Sequence, residues 1–281
     1  MALGGEKNGG ERLQASDLLP DEGVDTRSLC LIAAFLAEIH KAESLVAIEA
    51  VISAISHELG FRHYAMIHHD DHRTRSPGLI NLNNYPPEYA AQYFGDLYYR
   101  DDPVVHACLA ANACFTWCDM AQLIELGRQH RDILERGAYY GVTNGLTVPA
   151  FVLGERSGSC SFSSPRVPGC ARRHLWAVHT IGGFAFQKAR RIVNGGRLRQ
   201  VRAARLRPRW RECVVLAGQG KSNTDIATIL GLTPSTVKTY IEAACRSYGV
   251  ANRTQLVLAA VLDGEVGIYE IAPRQHRHLA T

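Results

Sequence analysis

Hydrogen-bonding side chains are concentrated between residues 221 and 248 at the spacing of a helix. One face of a helix over 234–248 would be apolar, with Val237, Ile241, Ala244 and Tyr248. The opposite face would carry Ser235, Thr236, Lys238, Thr239, Glu242 and Arg246. On such a face a lysine can donate to guanine and a glutamate can accept from cytosine. A face with these groups is able to hydrogen-bond to base edges, and Lys221, in the preceding segment, is expected to contact phosphate.

Two short helices and a turn must hold that surface in place. Ser222 is a cap-type residue, and Ile226 and Leu230 after it fall on one helical face. Gly231 would end the first helix, because a residue without Cβ takes the left-handed conformation, and Thr233 would cap the second. This pattern is typical of a helix-turn-helix that enters a major groove. An ordinary helical hairpin would show the same periodicity.

The distribution of charge favours the nucleic-acid interpretation. From residue 188 onward the chain has 16 Lys and Arg against 6 Asp and Glu, a net charge of +10. The first 187 residues have 15 against 21, a net charge of −6, which together give the overall +4. Such segregation is the expected footprint of a nucleic-acid-binding segment attached to an acidic domain.

The rest of the chain predicts an α+β fold, with an N-terminal α/β/α sandwich around an antiparallel sheet and a C-terminal all-α, four-helix helix-turn-helix domain. The predicted helices cover Arg27–Leu59 as a pair capped by Ser44, segments from Pro86 and Pro103, Met120–Tyr140 and Pro168–Ile192. The predicted strands are Phe61–His69, Leu79–Leu82, Phe115–Trp117, Gly145–Val152 and Gly158–Ser163. The boundaries are a disordered extension at 1–26, a ligand domain at 27–192, a basic linker at 193–205, a DNA-binding domain at 206–270 and a tail at 271–281.

Several other classes of protein are disfavoured. No apolar run approaches the roughly 20 residues that span a bilayer, and residues 1–10 are too polar for a secretory signal. Without a Cys-x-x-Cys pair, reduced and buried cysteines in a cytoplasmic protein are expected. The cluster His68–His72 resembles a metal site, but consecutive residues point in different directions, so a solvated loop is favoured.

Catalytic motifs are also absent from the sequence. Gly220, Lys221 and Ser222 resemble the end of a phosphate-binding loop, but Val215 stands where that loop needs a glycine. No Gly-x-Ser-x-Gly elbow occurs. The sequence therefore predicts neither an enzyme nor a catalytic residue, and no metal site.

The C-terminal segment resembles the DNA-binding domain of LuxR-type regulators over about sixty residues. The resemblance rests on four runs with the spacing of that family, which begin at Leu206, Gly220, Thr236 and Asn252. Two residues depart from the pattern: Arg207 replaces the usual Ser or Thr cap, and Trp210 replaces the usual Glu. Losing the cap should cost on the order of 1 kcal/mol of helix stability.

A second group of side chains, in residues 28–187, combines aromatic rings with one carboxylate: Tyr85, Tyr89, Tyr93, Asp102, Trp117 and Ser161. Each aromatic alone is compatible with an ordinary core or surface position whose polar tip is satisfied locally. Together, with Gly145–Pro149, they resemble the autoinducer-binding domain of the LuxR family, whose pocket holds an acyl-homoserine lactone. The resemblance implies that Asp102 accepts from the ligand amide, Tyr85 and Ser161 donate to the acyl carbonyl, and Tyr93 and Trp117 wall the pocket. Because an unpaired buried carboxylate is costly, ligand binding and folding should be coupled.

Tyr89 is the departure with the greatest consequence, since most lactone receptors of this family have Trp there. Its hydroxyl can donate to the lactone carbonyl, but it reaches a different point and leaves volume unfilled. The expected effector is an acyl-homoserine lactone, with no other cofactor; a different small molecule, or no ligand, is the alternative. The resemblance implies a homodimer on a palindromic double-stranded DNA operator and contact with RNA polymerase, and no membrane. Dimer contacts are expected in the ligand domain and in Thr254–Leu262, through Leu256, Val257 and Ala260.

Overall fold

The computed structural model describes residues 26–74, 76–165, 175–196 and 206–272, which form two compact units. The first unit contains the helices α1 (Thr26–Lys41), α2 (Leu45–Glu58), α3 (Pro87–Gly95), α4 (Pro103–Ala110), α5 (Arg128–Tyr139) and α6 (Leu175–Val193). Its strands are β1 (His63–His68), β2 (Asn81–Asn83), β3 (Phe115–Thr116), β4 (Gly145–Ala150) and β5 (Gly158–Ser163). Short 3-10 helices lie at Tyr98–Arg100 and Trp117–Gln122. Among the helices of these four ranges, none is long and apolar enough to cross a membrane.

The five strands form one antiparallel sheet in the order β2-β1-β5-β4-β3. Helices α1, α2 and α6 cover one face, where Phe35, Ile52, Met66 and Phe186 form a fully buried core. Helix α4 packs against β4 and β5, and the aromatic residues of α3 pack against Ala65 and Ile67 of β1. The predicted α/β/α sandwich with an antiparallel sheet is therefore confirmed.

Strand β5 shows how this sheet divides its side chains. Cys160 and Phe162 belong to the apolar core under α1, α2 and α6. Because successive side chains of a strand alternate, Ser159, Ser161 and Ser163 point to the opposite face. All three serines are buried. The face of the sheet toward α4 therefore carries a row of hydroxyl groups.

Helix α6 lies on the sheet at two adjacent glycines with different surroundings. A Cβ on Gly182 would lie 2.8 Å from Val148 Cγ2 and 3.2 Å from Cys160 Cβ, whereas a Cβ on Gly183 would meet nothing within 4 Å. We expect Gly182→Ala to lower the free energy of unfolding by about 1–3 kcal/mol through overpacking. Gly183→Ala should raise it by about 0.5–1 kcal/mol, because alanine loses less entropy in a helix. Urea denaturation of both variants checks the prediction, and a loss of similar size in both would contradict it.

Several predicted boundaries require correction. The helix predicted at Met120–Tyr140 is wrong in its first part, because residues 117–122 form a 3-10 helix started by the Thr116 side chain, and α5 begins only after the extended Gly127. The strand predicted at Leu79–Leu82 lies at Asn81–Asn83. Residues 1–25, 166–174, 197–205 and 273–281 lie outside the described residues, and with them most of the predicted extension, linker and tail. Cys108, Cys160 and Cys213 are buried free thiols, but Cys30 and Cys118 are exposed.

The second unit is helical, as predicted. It contains α7 (Pro208–Gly218), α8 (Asn223–Leu230), α9 (Pro234–Tyr248), α10 (Arg253–Leu262) and one further turn, α11 (Ile268–Ile271). Ser222 and Thr233 cap α8 and α9 through their side chains, and Gly231 ends α8 at a φ of 66°. The helix-turn-helix is therefore confirmed. The expectation that Leu256 and Ala260 are available for dimer contacts is wrong, because both are fully buried in the core of this unit.

The two departures at the start of α7 lie against each other. Arg207 occupies the N-cap without a side-chain cap hydrogen bond, as predicted, and Trp210 is the third helical residue. These are the two positions of a capping box. Here the Arg207 guanidinium lies 5.0 Å from the centre of the Trp210 ring, a cation–π contact. A cation–π contact therefore joins the two positions that a capping box would join by hydrogen bonds.

Candidate ligand pocket and nucleic-acid interface

One cavity of the first unit is lined by all six side chains that the sequence predicted to contact a ligand. They are Tyr85, Tyr89, Tyr93, Asp102, Trp117 and Ser161. It lies between the hydroxyl-bearing face of the sheet and the helices α3, α4 and α5. Its apolar walls include Ile67, Val104, Val105, Ile133, Leu134 and Val142. The open space between these side chains is about 20 Å³, which holds one water molecule. A larger molecule can therefore enter only if side chains of the wall move.

Asp102 has two structural roles in this wall. Its Oδ1 accepts from the backbone N–H of Val104 at 2.8 Å and so caps α4, while its Oδ2 accepts from the Tyr93 hydroxyl at 2.6 Å. Burial raises the pKa of Asp102, and these two hydrogen bonds oppose that shift. The carboxylate is thus already paired within the protein, which removes the expected reason for coupling ligand binding to folding. Each oxygen keeps a second lone pair that can accept from a ligand.

Tyrosine rings form a continuous cluster on the α3 side of the cavity. The ring centres of Tyr85 and Tyr93 lie 5.2 Å and 5.8 Å from that of Tyr89, and Tyr140 lies 5.6 Å from it on another side. The Tyr89 ring therefore packs against tyrosine rings on more than one side. Burial raises the pKa of Tyr85, Tyr89 and Tyr93, so all three keep their hydroxyl hydrogen at neutral pH.

Trp117 begins a chain of hydrogen bonds that ends at Ser161. Its Nε1 donates to Thr147 Oγ1 at 2.9 Å, and Thr147 Oγ1 lies 2.9 Å from Ser161 Oγ. Trp117 can only donate. Either hydroxyl of the Thr147–Ser161 pair can be the donor. When Thr147 donates, the Ser161 hydroxyl keeps its hydrogen for a group in the cavity.

Sequence reasoning missed Thr147 and Ser159, the second of which lines the cavity. The alternation Ser-x-Ser-x-Ser in β5 could have identified Ser159, because it places three hydroxyls on the face that carries Ser161.

The side chains of the polar cluster His68–His72 hydrogen-bond to different partners. His69 Nε2 lies 2.9 Å from Ser159 Oγ, and His72 Nε2 lies 2.6 Å from the carbonyl oxygen of His68. In the described residues no three His, Cys, Asp or Glu side chains converge on a metal position.

A histidine pair holds two walls of the pocket together, and it was also missed. The backbone N–H of Gly127 donates to His130 Nδ1 at 3.2 Å, so a neutral His130 carries its hydrogen on Nε2. That atom lies 3.1 Å from His106 Nδ1 and donates to it, and His106 Nε2 lies 2.9 Å from the carbonyl oxygen of Arg100. The pair therefore links α4 to α5 with every ring nitrogen in a hydrogen bond.

The polar face of α9 lies on the surface of the second unit. Ser235, Lys238, Thr239 and Glu242 are exposed, as is Lys221 before α8, while Thr236 is half-buried. Thr236 and Thr239 hydrogen-bond within their own helix, to the capping Thr233 and to the carbonyl oxygen of Ser235. Lys238 Nζ lies 3.9 Å from Glu242 Oε1. Lys238, Glu242 and the exposed Arg246 are therefore the longest polar side chains that this face presents outward.

Comparisons with known proteins match both units. Residues 44–189 match the family described as "Autoinducer binding domain", and residues 205–260 match "Bacterial regulatory proteins, luxR family". The chain is 27% identical to the transcriptional activator BjaR1 of Bradyrhizobium diazoefficiens, over 65% of this chain and 74% of the relative. It is 26% identical to the quorum sensing-dependent regulator RpaR of Rhodopseudomonas palustris, over 82% and 92%.

Solved structures share the fold. Escherichia coli SdiA superposes with a TM-score of 0.54 at 16% identity, covering 84% of this chain and 98% of SdiA. A second structure, of SdiA in complex with octanoyl-rac-glycerol, superposes with a TM-score of 0.51 at 16% identity, covering 84% and 95%.

Proposed function

This chain belongs to the LuxR family of autoinducer-binding transcriptional regulators, and we propose that its effector is an acyl-homoserine lactone and its target a palindromic operator. The observation that carries the proposal for the effector is the convergence of six polar and aromatic side chains on one cavity. As a regulator of transcription it is not an enzyme.

The chemistry of the cavity suits an amide and a carbonyl next to each other. Asp102 accepts from the amide N–H of the effector with lone pairs that Tyr93 and Val104 leave free. Ser161 and Tyr85 donate to the acyl carbonyl, while Tyr93 and Trp117 wall the chain. Tyr89 donates to the lactone carbonyl. Because the cavity is small in this structure, binding moves at least part of the tyrosine cluster outward.

A different effector is the second candidate, and two observations favour it. The family's usual tryptophan is a tyrosine at residue 89, and its ring packs against those of Tyr85 and Tyr140. A protein of similar fold has been solved with octanoyl-rac-glycerol, an acyl ligand without a lactone. An acylglycerol therefore belongs among the molecules to be tested.

We expect acyl-homoserine lactones to raise the melting temperature of the full-length protein in a thermal-shift series of increasing acyl length. In Tyr89→Phe the lactone carbonyl loses a donor, so the affinity should fall about ten- to hundredfold, equivalent to roughly 1–3 kcal/mol. Octanoylglycerol is the comparison ligand, since it lacks the lactone that Tyr89 is proposed to contact. If octanoylglycerol binds and no lactone does, the second candidate replaces the first. An unchanged lactone affinity in Tyr89→Phe would make this tyrosine structural.

The DNA interface is proposed on the exposed face of α9. Lys238 and Glu242 contact base edges, with Ser235, Thr236 and Thr239 around them, and Lys221 contacts phosphate. One module of this size buries little DNA surface, so specific binding needs a homodimer on a palindrome. The partners are the operator, a second copy of the chain and RNA polymerase. A regulator with these partners acts in the cytoplasm.

Light scattering of the protein with and without lactone measures the oligomeric state, and a monomer in both would contradict the dimer.

A further inference from the structure

A second polar position lies in the pocket, next to the one assigned to the acyl carbonyl. Ser159 lines the cavity two residues from Ser161 on the same strand and the same face. Two residues of a strand span about 6.6 Å, so the two hydroxyls stand roughly that far apart. Ser159 is 3% exposed, and its neighbours in the wall include Ile67 and Val104. An isolated hydroxyl in such a wall is costly unless it has a partner.

His69 is the side chain that orients Ser159. Its Nε2 lies 2.9 Å from Ser159 Oγ, and its backbone N–H donates to the carbonyl oxygen of Ser157, which fixes the residue beside β5. Burial, followed by the neighbouring His68 and His72, lowers the pKa of His69 to about 4. The ring is therefore neutral at neutral pH and carries one hydrogen.

The position of that hydrogen follows from the other ring nitrogen. His69 Nδ1 is buried and has no hydrogen-bond partner. An orphaned buried N–H is rarer in proteins than an orphaned acceptor, so the hydrogen belongs on Nε2. His69 then donates to Ser159, and the hydroxyl hydrogen of Ser159 points away from His69. The thiol of Cys108 also lies within hydrogen-bonding reach of Ser159, and sulfur is only a weak acceptor.

We propose that Ser159, oriented by His69, is a second ligand-binding position that donates a hydrogen bond to an oxygen on the acyl chain of the effector. This inference rests on the proposed function, because it requires that Ser161 holds the acyl carbonyl. Keto groups on odd-numbered carbons of an extended chain point to the same side as that carbonyl, as Ser159 and Ser161 point to the same side of β5. The distance between the two serine hydroxyls is longer than the distance from the acyl carbonyl to carbon 5 of such a chain and shorter than the distance to carbon 7. The effector is therefore an oxygenated acyl compound, and a plain alkyl chain binds less tightly.

The test compares N-octanoyl-homoserine lactone with its analogues that carry a keto group at carbon 3, 5 or 7. Isothermal titration of the full-length protein should give about tenfold tighter binding for the analogue at carbon 5 or 7 than for the plain chain. Ser159→Ala should abolish that preference, and His69→Leu should reduce it more than His69→Gln, which keeps an N–H donor. Ser163→Ala is the matched control, since it removes a hydroxyl from the same face of β5 but outside the cavity lining.

The outcomes separate the two proposals. Equal affinity for all four lactones, or a preference that survives in Ser159→Ala, would overturn the second position and leave the proposed effector class intact. If none of the four lactones binds, the proposed effector class fails and the second position with it. Loss of the preference in Ser163→Ala as well would show a change in the strand rather than a contact, and would also overturn the inference.

Discussion

Asp102→Ala is expected to lower the free energy of unfolding of the ligand-free protein by about 2–4 kcal/mol. Loss of the cap on α4 contributes roughly 1 kcal/mol of this. Leaving the buried hydroxyl of Tyr93 without its acceptor contributes a further 1–3 kcal/mol or so. Tyr93 is 2% exposed, so bulk solvent does not reach its hydroxyl. Urea denaturation followed by circular dichroism, with no lactone present, measures the loss.

A second substitution separates the two contributions. In the double variant Asp102→Ala with Tyr93→Phe, the unpaired hydroxyl is gone, and only the loss of the cap should remain. We expect the double variant to be more stable than Asp102→Ala by about 1–2 kcal/mol, although it carries one more substitution. Asp102→Asn should cost less than either, since its amide oxygen can still accept one hydrogen bond. Strictly additive losses in the double variant would contradict the importance of the Tyr93 contact.

This result would change how ligand assays are interpreted. A variant of Asp102 that fails to respond to a lactone has lost stability as well as an acceptor, and the two causes look alike in a reporter assay. Tyr85 is a better probe of ligand contact, because its hydroxyl caps no helix, whereas Ser161 Oγ lies 2.9 Å from the buried hydroxyl of Thr147. Thermal shifts should therefore be referred to the melting temperature of each variant without ligand.

Features that depend on neighbouring residues were predictable from the sequence. Ser44, Ser222 and Thr233 each accept a hydrogen bond from a backbone N–H three residues later, so the cap is visible in the local pattern. Gly231 ends α8 for an equally local reason, its positive φ. The identity of the six pocket residues came instead from resemblance to a family, and their convergence on one cavity agrees with it.

Contacts between distant residues were not predictable. Trp117 and Thr147 are 30 positions apart, and His69 and Ser159 are 90 apart, so nothing in their local patterns links them. Helix α5 begins at Arg128 and not at the predicted Met120. The residue before it, Gly127, is extended and donates its backbone N–H to the His130 side chain, and the spacing of apolar residues does not reveal this contact. Leu256 and Ala260 were placed on the surface by spacing alone, but they pack in the core of the second unit against residues of its other helices.

In the second unit, the two lysines assigned to DNA should respond differently to substitution. Lys238→Ala should weaken binding most for operators with the guanine that it contacts, by about 1–3 kcal/mol, and should weaken the preference for that guanine. Lys221→Ala should weaken binding equally for all sequences and reduce the salt slope by about 1. An operator selected from a random duplex library, and single-base variants of it, measured by fluorescence anisotropy at several salt concentrations, provide the comparison.

Lys238→Glu should have a larger effect than removal of the side chain. In the free protein Lys238 and Glu242 are 70% and 53% exposed and form a long ion pair, which stabilises α9 by only about 0.3–0.5 kcal/mol. Breaking that pair costs little, so Lys238 is available to the base. A glutamate there would lose the contact and bring a second carboxylate against phosphate, with an expected loss of about 100- to 1000-fold in affinity. Because the exposed substitution should leave the melting temperature within a few degrees of wild type, lost binding cannot be attributed to unfolding. Equal losses for every operator variant in Lys238→Ala would instead place this lysine on the phosphate backbone.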